Sequence, residues 1–514
     1  MRATSLGHAG LLVESGESSI LCDPWFVPAF FGSWFVFPRN DRLNADLAAK
    51  IESPTHLYIS HIHGDHLDES FLADHVSRDA TILLPDFPGR ELERRLTKLG
   101  FRNFLRTKNA VEVALGGRTK IAIHVETSIT DGPGGDSALV VSDDRVRLVN
   151  QNDCRTGDLA SLKSHGPVDL HWLQFSGAIW YPMVYEQNET EKRKLAQAKV
   201  ESQFARALRY VETIGARAVV PSAGPPCFLD DELFHLNMIN GDEISIFPDQ
   251  TKFLSRLRDI GRDNDILAIP GTSIEVSPTK ISVSHPTDAN LERIFAEKED
   301  YLRRYQEDWA TWLRNEKNKW QLPPTDILAT LQAWFEPLLA LAPSLRAAIG
   351  ANCLIRSGDS EVLIDFESGK VEKFVDQAHG FRFDIPRDLL ENVVSERAVD
   401  WSNSLFLSCR FTAWRAEEFN ESIYNFFKSL SVERMIRTES EASSRVADET
   451  SLSEEIELGD YVMQRKCPHR QADLSVFGEI NDGVLTCSLH GWRFDLNDGH
   501  CINAENRPLK VRRK

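Results

Sequence analysis

The chain has 514 residues, 42% of them apolar and 26% charged, with a formal net charge of −18; length alone asks for about three domains. The acidic balance excludes the basic footprint of a nucleic-acid binder, and no run of about 18 apolar residues offers a membrane span. Eight scattered cysteines (Cys22, Cys154, Cys227, Cys353, Cys409, Cys467, Cys487, Cys501) are no secreted disulfide framework and place the chain in a reducing cytoplasm.

The opening "MRATSLGHAGLLVES" has no basic stretch leading into an apolar one, so it reads as the first strand of the fold and not as a secretory signal. From residue 1 to 285, short β-type runs such as "HLYISH", "ATILLP", "RTKIAIHVE", "SALVVS" and "RVRLVNQND" alternate with turns and helical stretches. That texture predicts a layered α/β domain whose sheets are covered by helices. Early in it, "DPWFVPAFFGSWFVFPRN" is aromatic-rich and fits a pocket wall, a lid or a buried loop.

"SHIHGDHLDES" then gathers His61, His63, Asp65 and His66 after a hydrophobic strand. His61 and His63 are two apart, so on an extended strand end both point the same way. Asp65 and His66 follow a turn at Gly64. One loop thereby offers imidazoles to one metal and Asp65 with His66 to a second; imidazole suits zinc and iron alike, and the carboxylates add hard-ligand character. Further along, "ETEKRKLAQAKVESQFARALRYVETIG" is an amphipathic helix ended by glycine.

Residues 286–435 form a helical and α+β region without assignable chemistry. It opens with a charged helix carrying Trp309, Trp312 and Trp320, and "SEVLIDFESGKVEKF" predicts a hairpin around Ser368 and Gly369. The polar, acidic stretch 436–457 reads as a linker. Residues 458–514 are too short for an ample core and call for a cofactor as staple. There Cys467-x-His469 precedes Cys487-x-x-His490. Each short loop supplies one thiolate and one imidazole, the ligand set of a Rieske [2Fe–2S] centre; zinc fingers pair cysteines first and histidines second. A conventional helix presenting an acid and two histidines for mononuclear iron is absent.

The motif H-x-H-x-D-H resembles the metallo-β-lactamase superfamily over roughly the first 285 residues. The resemblance implies an αββα sandwich with a binuclear metal site, iron or alternatively zinc, between its sheets, followed by the α+β region and a small all-β Rieske domain. It implies Asp23, in "ILCDPWF", as a support behind the metal ligands, and Asp153, in "LVNQNDC", as a ligand. The family's third-motif and last histidines have no plain counterpart; His124, Asp131 or Asp136, and then Asp230 or His235, are the candidates for those places. "CSLHGWRFD" resembles the oxygenase and ferredoxin type of Rieske loop: Ala472 and Leu489 stand where respiratory proteins carry a second pair of cysteines, and Trp492 where a serine often stands. On that resemblance His469 and His490 lie near the surface.

The pairing of these modules, with "YISHIHGDHL", "LVNQNDCR", "WLQFSGAIWYPMVY" and "CINAENRPLKV", is similar to the CMP-N-acetylneuraminate hydroxylase family, here with the Rieske module last. The implied activity is iron-dependent monooxygenation of a small molecule, a sugar or sugar nucleotide among the options. Electrons come through the Rieske cluster from an external NAD(P)H-linked reductase or electron carrier, since no G-x-G-x-x-G loop is present. His61, His63, Asp65, His66 and Asp153 then form the oxygen-activating site, and Arg39 and Arg155 are the candidates to grip an anionic group. A dizinc hydrolase of an ester, lactone or phosphodiester, and an electron carrier with a degenerate first domain, are the competing expectations.

Overall fold

The β-type runs of the first half pair into two sheets. In the computed structural model, which describes residues 1–129, 132, 134–287, 289–448, 454–504 and 507–514 and gives no side-chain placement for 445–448, eight strands form the first sheet. Its order is Ile281–Ser284, Ser273–Val276, Arg2–Gly7, Gly10–Ser15, Ser18–Cys22, His56–Tyr58, Thr81–Leu84 and Phe104–Arg106. The second sheet has six strands, in the order Ala218–Ser222, Leu170–Gln174, Arg147–Asn152, Asp136–Ser142, Thr119–Glu126 and Val113–Gly116.

Between the sheets pack Val13, Ile20, Tyr58 and Leu83 from the first and Ile121, Leu139, Leu148, Trp172 and Val220 from the second, all fully buried or nearly so. On its other face the first sheet presents Leu6, Leu12, Leu21 and Leu57 to Leu47, Ile51, Leu72, Leu92 and Leu96 of the helices Ala45–Glu52, Glu69–His75 and Glu91–Lys98. Burying each such side chain is worth about 1.5–3 kcal/mol. The helices Glu189–Ile214 and Gln250–Asp259 accompany the second sheet, with Phe204 and Phe253 packed on Phe175. This is the expected αββα sandwich. The aromatic helix Lys298–Lys319 closes over the early aromatic segment, with Phe35 edge-on to Tyr305, Trp309 and Trp312.

By contact the chain divides into two units, residues Met1–Pro182 with Glu189–Glu316 and residues Met183–Asn188 with Lys317–Lys514. In the second unit five strands form a sheet in the order Lys370–Lys373, Ser360–Asp365, Cys353–Ser357, Phe381–Asp384 and Thr412–Arg415. The predicted hairpin is there, turning at Gly369 with φ 73°. The stretch read as a linker departs from expectation: the helix Val432–Asp448 runs through its first part. Met435 and Thr438 are buried on that helix, and the carboxylate of Glu439 accepts the backbone N–H groups of Ser344 and Leu345. A polar composition therefore conceals a packed face. Residues 449–453 lie outside the described set.

The Rieske module is built from two three-stranded sheets, Glu455–Leu458, Tyr461–Gln464 and Val511–Arg513, and Gly478–Asn481, Val484–Cys487 and Trp492–Asp495. Among the described residues no helix is long and apolar enough to cross a membrane.

Candidate metal centres

Parallel pairing of Ser18–Cys22 with His56–Tyr58 sets Cys22 opposite Tyr58, so Asp23 and the segment from Ser60 leave adjacent strand ends together. Asp23, fully buried, bends sharply at φ 41°. Its Oδ1 accepts the N–H of Ser60 at 2.7 Å, and its Oδ2 lies 3.3 Å from Nδ1 of His66 and accepts the amide of Asn152. With its Nδ1 side engaged, His66 presents an Nε2 that is buried and has no hydrogen-bond partner. Asp68 fixes the loop from beyond: its carboxylate accepts from Phe71 N, capping the helix Glu69–His75, and from Phe26 N and Val27 N of the aromatic segment.

Around His66 the ligand atoms form two overlapping groups, His8 with Asp65 and His66, and His61 with His66 and Asp153, each with its atoms within 4.8 Å of one another. Asp65 Oδ2 lies 3.7 Å and Asp153 Oδ2 3.6 Å from His66 Nε2, and Asp65 Oδ2 is 3.0 Å from His8 Nε2. His61 and His63 lie together, Nε2 and Nδ1 2.8 Å apart, though His63 is in neither ligand group, and Asp136 Oδ1 stands 3.3 Å from His61 Nδ1. A ring nitrogen holds one ion, so a second ion in this cluster would need donors other than His66 Nε2.

Electrostatics point the same way. Burial pushes both Asp65 and Asp153 up, but His66 foremost outweighs it, and both carboxyls sit below their usual range. Asp136 is pushed up by its burial. Burial opposes charge on His66 as well, and Asp65 and Asp153 override it. Asp23, Asp65, Asp136 and Asp153 converge on a region almost closed to water, a concentration of carboxylates that a bound cation would balance. His66 Nε2 and Asp153 Oδ1 are buried without a hydrogen-bond partner, as the donor atoms of a metal site would be. These residues fit a metal centre, mixed in imidazole and carboxylate.

Other candidates fall elsewhere. His124 faces His165, Nε2 to Nε2 at 2.9 Å, because strand alternation turns it to the short helix Leu159–Ser164. Asp230 is buried in a turn, its carbonyl accepting Leu233 N, and His235 is exposed on the turn Phe234–Leu236. Neither joins the metal groups. Asp131 lies outside the described residues. Arg39 is committed to Asp41 and Asp308, at 2.7 and 2.6 Å. His8 was not foreseen: it sits in the tight "GHAG" connection at φ 51°, packed edge-on to Trp25 at 4.8 Å. A buried polar residue in an otherwise apolar hairpin was the signal for it. The aromatic segment is thus a wall behind His8, with Trp25 and Trp34 each 1% exposed.

In the Rieske module Cys467 and Cys487 are both buried, with their thiols near enough to act on each other. Their mutual interaction draws Cys487 below the usual thiol range and raises Cys467; backbone N–H groups of Leu489 and His490 act on the Cys487 sulfur, those of His469 and Arg470 on that of Cys467. Two thiolates in such cradles with two imidazoles nearby suit the cluster. The His469 and His490 rings stand 4.8 Å apart at 88°. Contrary to expectation, His469 is not at the surface. It is 6% exposed, stacked on Trp492 at 4.1 Å, with Nε2 3.2 Å from the buried Glu421 carboxylate and Nδ1 unpartnered. Glu421 begins the helix Glu421–Phe427, upstream of the module, and nothing in the Rieske motif announces it.

Comparison with known proteins places these parts. Residues 434–511 match the Rieske [2Fe-2S] domain and residues 327–444 an Rv3818-like, SCP2-like domain. Over its full length the chain is 41% identical to a protein of Mycolicibacterium smegmatis and 40% to Rv3818 of Mycobacterium tuberculosis, each covered completely and each named as a Rieske 2Fe-2S iron-sulfur protein. Cytidine monophosphate-N-acetylneuraminic acid hydroxylase of Danio rerio is 29% identical over 195 residues, 35% of this chain and 30% of that one. Among solved structures, a metallo hydrolase of Ignicoccus hospitalis overlaps 56% of this chain and 99% of its own at 15% identity (TM-score 0.37). CmlA, a diiron beta-hydroxylase from Streptomyces venezuelae, overlaps 55% and 54% at 15% identity (TM-score 0.34).

Proposed function

The chain belongs to the family of Rieske 2Fe-2S iron-sulfur proteins that includes Rv3818, and on that premise we propose that it is an iron-dependent monooxygenase. The observation that carries this is the presence, in one chain, of a Rieske ligand set and a buried cluster of histidines and carboxylates. No third group of metal ligands exists among the described residues to receive the electrons. Similarity to a hydroxylase over 195 residues supports the reaction type.

His61, His63, Asp65, His66 and Asp153, with His8 added, would hold iron, which would supply oxygen activation. The balance is one C–H bond and O2, with two electrons and two protons, giving C–OH and water. Cys467, His469, Cys487 and His490 would hold the cluster, which would supply one-electron transfer, so an external NAD(P)H-linked reductase or carrier would have to deliver two electrons in succession. The substrate is a small molecule. The protein's own contributions are to hold ligands in one tautomer through Asp23, to wall the site with Trp25 and Trp34, and to exclude bulk water. Residues 1–285 carry the reaction site on this reading, 286–435 a region overlapping the SCP2-like match, 436–457 the crossing and 458–514 the electron relay, in a reducing cytoplasm that keeps the eight cysteines free of disulfides.

Mössbauer spectra of protein grown on ⁵⁷Fe and purified without oxygen test the assignment. Iron signals beyond the Rieske pair support it. Rieske iron alone, with zinc or nothing in the first site, overturns it and makes hydrolysis the activity to assay.

A further inference from the structure

Beside His8 lies a small enclosed cavity, lined by Ser5, His8, Phe37, Trp172, Ser222 and Gln250 among others. Three elements bring its polar members together. The strand Ala218–Ser222 runs parallel to Leu170–Gln174 with Trp172 opposite Val220, so Ser222, two residues on, shares the face of Trp172. The N–H of Ala223 donates to the His8 carbonyl at 3.0 Å and ties this strand end to the tight connection that carries His8. Gln250 opens the helix Gln250–Asp259.

Four of these lining residues each hold a buried polar atom without a hydrogen-bond partner: His8 Nδ1, Trp172 Nε1, Ser222 Oγ and Gln250 Oε1. Their residues are 6%, 1%, 3% and 4% exposed, so bulk water does not reach them. Left unpaired, each such group costs about 1–3 kcal/mol. The cavity gives the centre of a water about 10 Å³, room for a single water and too little for a substrate. Dioxygen is small enough, but it donates no hydrogen bond and accepts none of strength.

The count of donors and acceptors matches one water. Trp172 Nε1–H and a protonated His8 Nδ1 donate two hydrogen bonds; Gln250 Oε1 and Ser222 Oγ accept two. His8 Nε2 is the nitrogen that faces Asp65, 3.0 Å from its Oδ2. It can serve as a ligand only when the ring carries its proton on Nδ1, and that is the tautomer this count requires. With no metal, Nε2–H donates to Asp65 and Nδ1 becomes an acceptor. A water can turn to donate there while the Ser222 hydroxyl turns to donate to the water, whereas an amide oxygen in direct contact could only accept.

We infer that this cavity holds one structural water, bound by Trp172, Ser222 and Gln250, that accepts the Nδ1–H of His8 and so holds its Nε2 as a metal ligand. The inference rests on the reading of the first site as a metal centre. Gln250 and Ser222 are then positioning residues, acting on the metal through the His8 ring.

The test joins a crystal structure of the full-length, cluster-loaded protein with anaerobic competition for iron(II) and, separately, zinc(II) against a chelator. The titrations compare the wild type with Gln250→Met, with the smaller deletion Ser222→Ala, with His8→Ala, and with each of the first two changes combined with His8→Ala. Met keeps the length and packing of Gln250 and removes its acceptor. Expected are one water within hydrogen-bond distance of His8 Nδ1, Ser222 Oγ and Gln250 Oε1, and metal affinity lowered about 10–100-fold in Gln250→Met or Ser222→Ala. In the His8→Ala background the same changes should cost nothing further, because their effect runs through that ring. A cavity without a water overturns the inference, as does unchanged affinity in both single variants, or an equal loss with and without His8. If the wild type takes up neither ion while the water is in place, the metal reading fails and the water site stands.

Discussion

The carboxylate of Glu421 stands 3.2 Å from Nε2 of His469, with both residues closed to solvent. One belongs to the region matching the SCP2-like domain, the other to the Rieske motif. The hydrogen bond fixes the imidazole as its Nε2–H tautomer and leaves Nδ1, buried and without a partner, as the nitrogen available to a cluster iron. Through this contact the region matching the SCP2-like domain would act on a cluster held by His469.

Negative charge beside a ligand favours the oxidised cluster. Replacing Glu421 by Gln keeps an acceptor of the same shape and removes the charge, so the reduction potential should rise. Losing about 1.4 kcal/mol of preference for the oxidised state corresponds to roughly 60 mV for one electron. An EPR-monitored redox titration of both proteins measures it. An unchanged midpoint would mean that Glu421 does not act on the cluster.

His66 belongs to both ligand groups of the first site, whereas His8 belongs to one. His66→Ala should therefore strip the site of metal, while His8→Ala keeps the group of His61, His66 and Asp153 and retains at least one ion. Neither change touches the cluster. Metal per chain, set against cluster absorption, reads out the contrast; equal loss in both variants would refute the nesting of the two groups.

Asp23 touches no ion on this reading, yet it holds Ser60, His66 and Asn152 at once. Such supports typically contribute 10–100-fold in metal affinity. Asp23→Asn should weaken binding by about that factor in a chelator competition while the sandwich still folds. Affinity equal to that of the wild type would show that His66 needs no outside orientation.

Much of this was legible in the sequence because period and ligand spacing are local. The alternation of short strands gave the sandwich, H-x-H-x-D-H gave the loop, and C-x-H with C-x-x-H gave the Rieske set. What stayed hidden depends on pairing between distant segments. His8 and Asp65 are brought to 3.0 Å by the sheet. Glu421 reaches His469 from a helix in a different region, and no spacing rule links them. His124 misled for the converse reason: its residue type suited a ligand, but the strand turned it to His165. The helix Val432–Asp448 escaped notice because its buried positions are few and polar in part.

His171 supplies a pH dependence away from the metal ligands themselves. It is fully buried, its Nε2 2.9 Å from Gln151 Oε1, and the Gln151 amide donates to the Cys154 carbonyl at 3.0 Å, bracing the loop that carries Asp153. Burial, followed by the charge of Arg262, holds its pKa down to about 3 from a usual value of 6.5. Above pH 6.5 both folded and unfolded chains carry it neutral. As pH falls below that value the unfolded chain takes up a proton that the folded one refuses. Stability is then lost progressively down to about pH 3, at roughly 1.4 kcal/mol per pH unit. His171→Gln keeps a hydrogen-bonding amide near Gln151 and removes the titration. The variant should lose about 1 kcal/mol at pH 7.5 through poorer packing and bonding, yet fall less steeply between pH 7.5 and 5.5, as followed by urea denaturation. The other titrating groups, metal ligands included, are common to the two chains and cancel in the comparison. Parallel pH profiles would mean that His171 accepts its proton in place, and the burial argument would fail.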